Sequence, residues 1–205
     1  KLLDEKADEI DAVVIGTPDH MHAPIAMAAM QLGKHVYAEK PMSRTLHEAR
    51  RLREFAVENN LMTQMGNQLA SGAGNRTGVR PLQESAVGKV IEVHSMNPKS
   101  WGSMNPLPEP TEEPPETLSW DDWIGVGQMR KYIPREFAPS NWRKRIGYGT
   151  GTLGDMGCHI YHPWFMGLNK PVTLSVTSHG PAPVDEDSWP LDAKVHHRMA
   201  GNDLT

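Results

Sequence analysis

The chain has 205 residues, 38% hydrophobic and 22% charged, with 21 Lys and Arg against 25 Asp and Glu for a net charge of −4. That length can bury a sizeable core in one large domain or two small ones. The slightly acidic balance, with no basic stripe interleaved with aromatics, argues against a nucleic-acid partner. No apolar run nears the roughly 20 residues of a membrane helix, so no membrane contact is expected. The one cysteine, Cys158, excludes an internal disulfide and a CxxC zinc site and suits a reducing compartment.

The chain opens Lys1-Leu2-Leu3-Asp4, as if entering a fold midway, so a missing signal peptide says nothing about localisation. Residues 1–9 read as the end of a helix. Residues 11–16, Asp-Ala-Val-Val-Ile-Gly, form a short β-branched run that suits a central parallel strand. Residues 17–22 read as a loop, with His20 and His22 exposed on it. A helix is expected from about Ala23 to Leu32, with Pro24 in its first turn and Gly33 as its stop. The strand expected at His35 to Ala38 ends on Glu39-Lys40-Pro41. Ligands bind beyond the carboxyl ends of strands in open α/β sheets, so a reactive lysine would be useful there. The same pair would also suit a surface ion pair at a turn.

A second helix is expected over 45–59, with Leu46, Ala49, Leu52, Phe55 and Ala56 at helical spacing and a capping box between Thr45 and Glu48. Residues 61–66 then supply a third strand. Strand-helix-strand-helix-strand with short connections predicts a right-handed parallel βαβαβ unit.

Three stretches in this order carry a resemblance: Asp-Ala-Val-Val-Ile-Gly-Thr-Pro-Asp-His-Met-His-Ala-Pro (11–24), Gly-Lys-His-Val-Tyr-Ala-Glu-Lys-Pro (33–41) and Met-Gly-Asn-Gln (65–68). Together they resemble the glucose–fructose oxidoreductase / inositol dehydrogenase / rhizopine catabolism (Gfo/Idh/MocA) family of NAD(P)-dependent enzymes acting on sugars and cyclitols. The resemblance runs from about Asp11 to Leu168. It implies Lys40 as a catalytic residue beside the nicotinamide, with a cis peptide before Pro41. It also implies Thr17, Pro18, His22, Glu39 and Asn67 on the cofactor side and NAD or NADP as cofactor. The family's Gly-rich pyrophosphate loop and ribose-reading residue do not precede Asp11. The chain is therefore read as a fragment. It would hold the second half of a Rossmann-type parallel sheet (1–66), then the start of an α+β domain with a mainly antiparallel sheet (67–205).

Residues 67–75 read as a polar crossing between the two parts, followed by a helix near 77–85 and a strand near 89–96. Pro98 to Thr117 is too proline-rich for regular structure. It reads as a meandering arm, with a ligand for a proline-recognising module as the alternative. Trp120, Trp123 and Ile124 are spaced to bury one helical face. Gly149, Gly151 and Gly154 match G-x-G-x-x-G, but the residues before them are polar and basic, so a dinucleotide loop is not expected. In the helix that follows, Asp155 and His159 are four apart and share a face. On spacing alone they fit a helix-end acid and a half-buried histidine. By resemblance they complete a triad with Lys40, and Trp142 and Arg143 approach cofactor or substrate. Asp155, His159 and His162 with Cys158 offer a divalent-metal set, but no metal is expected.

Strands are predicted near 172–178 and 193–199, with His196 and His197 exposed. With the stretch near 90 they would begin an antiparallel sheet whose bare apolar face predicts pairing with another copy, a homo-oligomer. The expected chemistry is hydride transfer between a sugar or polyol carbon and nicotinamide. His159 would act as base or acid, Lys40 would steady the alkoxide, and Asp155 would orient His159 and favour its protonated form. The rival readings are an NAD-dependent glycosidase-like hydrolase working by transient oxidation, and an inactive scaffold.

Overall fold

A computed structural model describes residues 2–169 and 171–200. Helix α1 (Leu2–Lys6) and a 3-10 turn (Ala7–Glu9) lead into strand β1 (Ala12–Ile15), helix α2 (Asp19–Gln31), strand β2 (His35–Glu39), helix α3 (Leu46–Glu58) and strand β3 (Thr63–Gly66). The first residue of the expected opening helix, Lys1, lies outside the described residues. The three strands form one parallel sheet in the order β1-β2-β3, with Val13 beside Val36 and Val36 beside Thr63. This is the expected βαβαβ unit. Its core joins Ile15, Val36 and Ala38 to Ala23, Ala26, Ala29 and Met30 of α2 and to Leu52 and Ala56 of α3. The run of alanines lets α2 lie close over the sheet.

Two details of this half differ from expectation. Strand β1 is an edge strand among the described residues, and Val14, on the face away from the core, is 78% exposed. Helix α2 also begins four residues earlier than expected, so Pro24 lies inside it. A proline removes one N–H from the helix ladder, but the turn before it is held from outside. The backbone N–H of His20 donates to Tyr148 O, and the His20 ring lies 3.0 Å from Ile124 O through Nε2. His20 and His22 are therefore helical and buried rather than exposed on a loop.

The start of α3 matches its sequence signal. The Thr45 hydroxyl accepts from Glu48 N, and the Glu48 carboxylate accepts from Thr45 N. Thr45→Ala should lower stability by about 1 kcal/mol, read as a lower urea midpoint with an unchanged slope.

A 3-10 turn (Gln68–Ser71) and helix α4 (Ala73–Gln83) occupy the stretch expected to be an irregular crossing, so that helix starts earlier than predicted. The strand expected at 89–96 does not form: residues 90–96 join no ladder. A strand exists only through its partners, and β4 (Thr173–Ser178) and β5 (Val195–Met199) pair antiparallel with each other instead. Ser95 bonds instead to helix α6 (Gly151–Gly167), donating to Ile160 O and accepting from the Trp164 indole. Helix α6 runs on through Pro163 to Gly167.

Helix α5 (Trp120–Ile124) anchors a second core of Trp120, Ile124, Ile133, Phe137, Trp142 and Tyr148. His196 and His197 lie on β5, where His196 is exposed and His197 is half-buried. The His197 ring meets the Tyr161 hydroxyl at 3.1 Å and so seats β5 on α6. Val172, Leu174 and Val176 remain exposed.

Candidate active site

The carboxyl ends of β1, β2 and β3 deliver Thr17, Glu39-Lys40 and Asn67 to one edge of the parallel sheet, and α6 crosses that edge. The Lys40–Pro41 bond is cis. The Lys40 ammonium donates to Asp155 Oδ1 at 2.5 Å and to Asp155 O at 3.1 Å. Asp155 Oδ2 accepts from the Trp101 indole at 2.7 Å, and Oδ1 also accepts from Arg143 Nε at 3.3 Å. A carboxylate only 2% exposed thus has three donors. Burial alone would raise its pKa, but the hydrogen bond and charge of Lys40, with help from Trp101 and Arg143, outweigh burial and hold it below the ordinary value.

Glycines make this approach possible. A Cβ on Gly149 would sit 2.4 Å from Arg143 Cα, so only glycine lets the 3-10 turn carrying Arg143 (Asn141–Lys144) lie against the entrance to α6. Gly151, with φ +63°, starts the helix under the Trp189 ring. A 3-10 turn rather than a strand leads into this loop, and close packing accounts for all three of its glycines.

One helical turn beyond Asp155, His159 is 7% exposed, and its Nδ1 lies 2.7 Å from Asn67 Oδ1. The Asn67 amide is oriented by its own Nδ2, which donates to Cys158 O at 2.8 Å, a carbonyl that can only accept. Asn67 therefore offers oxygen to the ring, Nδ1 carries the proton, and Nε2 keeps its lone pair. Burial first, then the Lys40 charge, lowers the His159 pKa, and the opposing pull of Asp155 is too weak to reverse it. This corrects two expectations. Asn67, not Asp155, orients the imidazole, and the surroundings favour its neutral form.

Lys40, Arg143, Asp155 and His159 line one cavity of about 360 Å³ together with Gln68, Lys99 and Trp101. Asn67 stands behind His159. Thr17, Pro18 and Glu39 lie at the strand ends outside this lining. His22 and Trp142, expected on the cofactor side, do not line it. Both are buried, because their polar atoms are spent on backbone carbonyls. The His22 ring nitrogens meet Pro41 O at 2.6 Å and Thr17 O at 2.7 Å, and the Trp142 indole donates to Pro139 O. Trp142 still bears on the site, since the Arg143 guanidinium stacks 4.2 Å from its ring centroid. Trp101 and Lys99, which sequence reasoning did not single out, come from the start of the irregular arm, where no periodicity marks them. Among the described residues no group of three His, Cys, Asp or Glu is arranged to hold a metal ion.

Comparison with known proteins bears on this arrangement. Residues 1–67 match the family described as "Oxidoreductase family, NAD-binding Rossmann fold". The chain is 25% identical over 152 residues to levoglucosan dehydrogenase of Pseudarthrobacter phenanthrenivorans, covering 74% of this chain and 31% of that protein. It is 29% identical over 169 residues to scyllo-inositol 2-dehydrogenase (NADP(+)) IolW of Bacillus subtilis, covering 82% and 38%. The chain thus spans about a third of the length of these relatives. The crystal structure of GenD2 from gentamicin A biosynthesis, in complex with NAD, superposes with a TM-score of 0.64 at 18% identity, covering 98% of this chain and 48% of that one. At that identity the likeness is one of fold.

Proposed function

The chain belongs to the Gfo/Idh/MocA oxidoreductase family, and from that premise we propose that it carries the proton-transfer half of a dehydrogenase acting on a sugar or cyclitol hydroxyl with NAD or NADP. The observation that carries this reading is the meeting of Lys40 and His159 on one cavity. The residues present fit the nicotinamide half of the cofactor. A Cβ added to Gly16 would meet nothing within 4 Å, so the end of β1 is open, and Thr17 and Glu39 stand exposed beside Lys40. Thr17, Pro18, Glu39 and Lys40 would hold that half, and when bound it supplies the hydride acceptor.

The chain's own residues supply the rest. His159 Nε2, unprotonated by the tautomer that Asn67 sets, accepts the substrate hydroxyl proton. The Lys40 ammonium steadies the oxygen as negative charge gathers on it. Asp155 holds Lys40 in place rather than taking a proton, because its own pKa is depressed.

The test is absorbance of reduced cofactor during incubation with a panel of sugars and cyclitols and either NAD+ or NADP+. The reading expects reduced cofactor to accumulate in step with substrate consumed. Substrate consumption with no accumulation would overturn it in favour of a hydrolase that recycles its cofactor, and no consumption of any panel member would overturn it in favour of a scaffold.

A further inference from the structure

We propose that the substrate of this site is an acidic sugar or cyclitol, bearing a carboxylate or phosphate that Lys99 and Arg143 hold. The inference rests on the reading that the cavity takes a polyol, and adds the class of polyol. It starts from the charges that line the cavity: Lys40, Lys99 and Arg143 against the single carboxylate of Asp155. His159 cannot offset the imbalance, since an imidazole is either neutral or cationic.

The three cations are not equivalent. Lys40 is committed to Asp155 through two hydrogen bonds. Arg143 gives Asp155 only its Nε, at 3.3 Å, and among the described residues its two terminal nitrogens have no hydrogen-bond partner. Its planar group is nonetheless fixed, with its central carbon 4.2 Å from the Trp142 ring centroid and 5.5 Å from that of Trp101. A guanidinium stacked in this way and left with an unused N–H fork matches the geometry of a carboxylate or phosphate. The Lys99 ammonium lies 5.5 Å from the same Trp101 ring and pairs with no carboxylate among the described residues. Lys99 shares the cavity lining with Lys40 and His159.

Like charges held around a small polar cavity repel one another. An anionic ligand removes that repulsion, whereas a neutral polyol leaves it in place. Ser140 and Gln68, also in the lining, are left for hydroxyl groups.

The experiment is calorimetric titration of this chain with a panel of uronic acids, aldonic acids and sugar phosphates, each beside its neutral parent sugar. At least one acid or phosphate ester should bind about tenfold or more tighter than its parent. That advantage should shrink as salt is raised and disappear in Lys99→Met, while Lys99→Arg keeps most of it. If no acidic member binds more tightly than its parent, or the preference survives in Lys99→Met, the proposal is overturned. NAD+ is titrated in parallel, and an equal loss of NAD+ affinity in Lys99→Met would overturn it by assigning the anion to the cofactor. Tight binding of an acid with no reduced cofactor formed would sink the redox reading alone. Equal turnover of acid and parent would sink the acidic class alone.

Discussion

Lys40→Ala is expected to lower turnover by about 100- to 1,000-fold while changing cofactor affinity little, because the lysine acts where charge develops on the substrate oxygen. The same substitution should also cost stability, since it strips the strongest donor from a carboxylate that stays buried. With Trp101 and Arg143 still bonded to Asp155, the loss should be about 3 kcal/mol, the low end for a broken buried pair. Turnover is read from cofactor reduction and stability from urea unfolding. Asp155→Asn in the Lys40→Ala background should recover much of the stability and none of the turnover. Near-normal turnover in Lys40→Ala would remove this lysine from the chemistry.

The second large effect belongs to Asn67. Asn67→Leu removes the acceptor that fixes the His159 tautomer, and turnover should fall by about 100-fold, at the lower end of what acid–base catalysis contributes. Asn67→Asp separates tautomer from charge. The carboxylate still accepts from Nδ1, so the ring keeps its orientation, but the negative charge now favours the imidazolium and raises the His159 pKa. A base with a raised pKa is disabled at a higher pH. The acid limb of the kcat/KM profile should therefore move upward, with the loss large at about pH 6 and small at about pH 8. A residue that merely packs would lower the whole profile without moving its limb, and that outcome would end the argument for Asn67.

The parallel half was readable because its signals are local. The β-branched run at 12–15, the capping box at Thr45 and the helical spacing from Leu46 to Ala56 each act over a few residues. The early start of α2 was not readable, because its first turn is held by Tyr148 and Ile124, more than a hundred residues away. The strand expected near residue 90 failed for the opposite reason. The β-branched run Val90-Ile91-Glu92-Val93 suits a strand, but a ladder needs a partner, and β4 and β5 pair with each other. In the site, the spacing of Asp155 and His159 puts them on one face, but the tautomer depends on an amide 92 residues away, and the lowered His159 pKa on burial by the assembled site and then on lysines from other parts of the chain. Trp101 was invisible for the same reason, being an isolated aromatic in a polar arm whose role appears only once α6 is beside it.

The ties across the site join residues very far apart along the chain: 115 positions between Lys40 and Asp155 and 131 between Asp19 and Thr150. Closing loops of that size carries a high entropic cost and is rewarded only when both ends have docked. The sheet of the parallel unit can thus form while the start of α2 and the chemistry are still missing, and activity should be the last property gained during refolding. For the same reason, loss of activity should be the earliest sign that the two ends have begun to part.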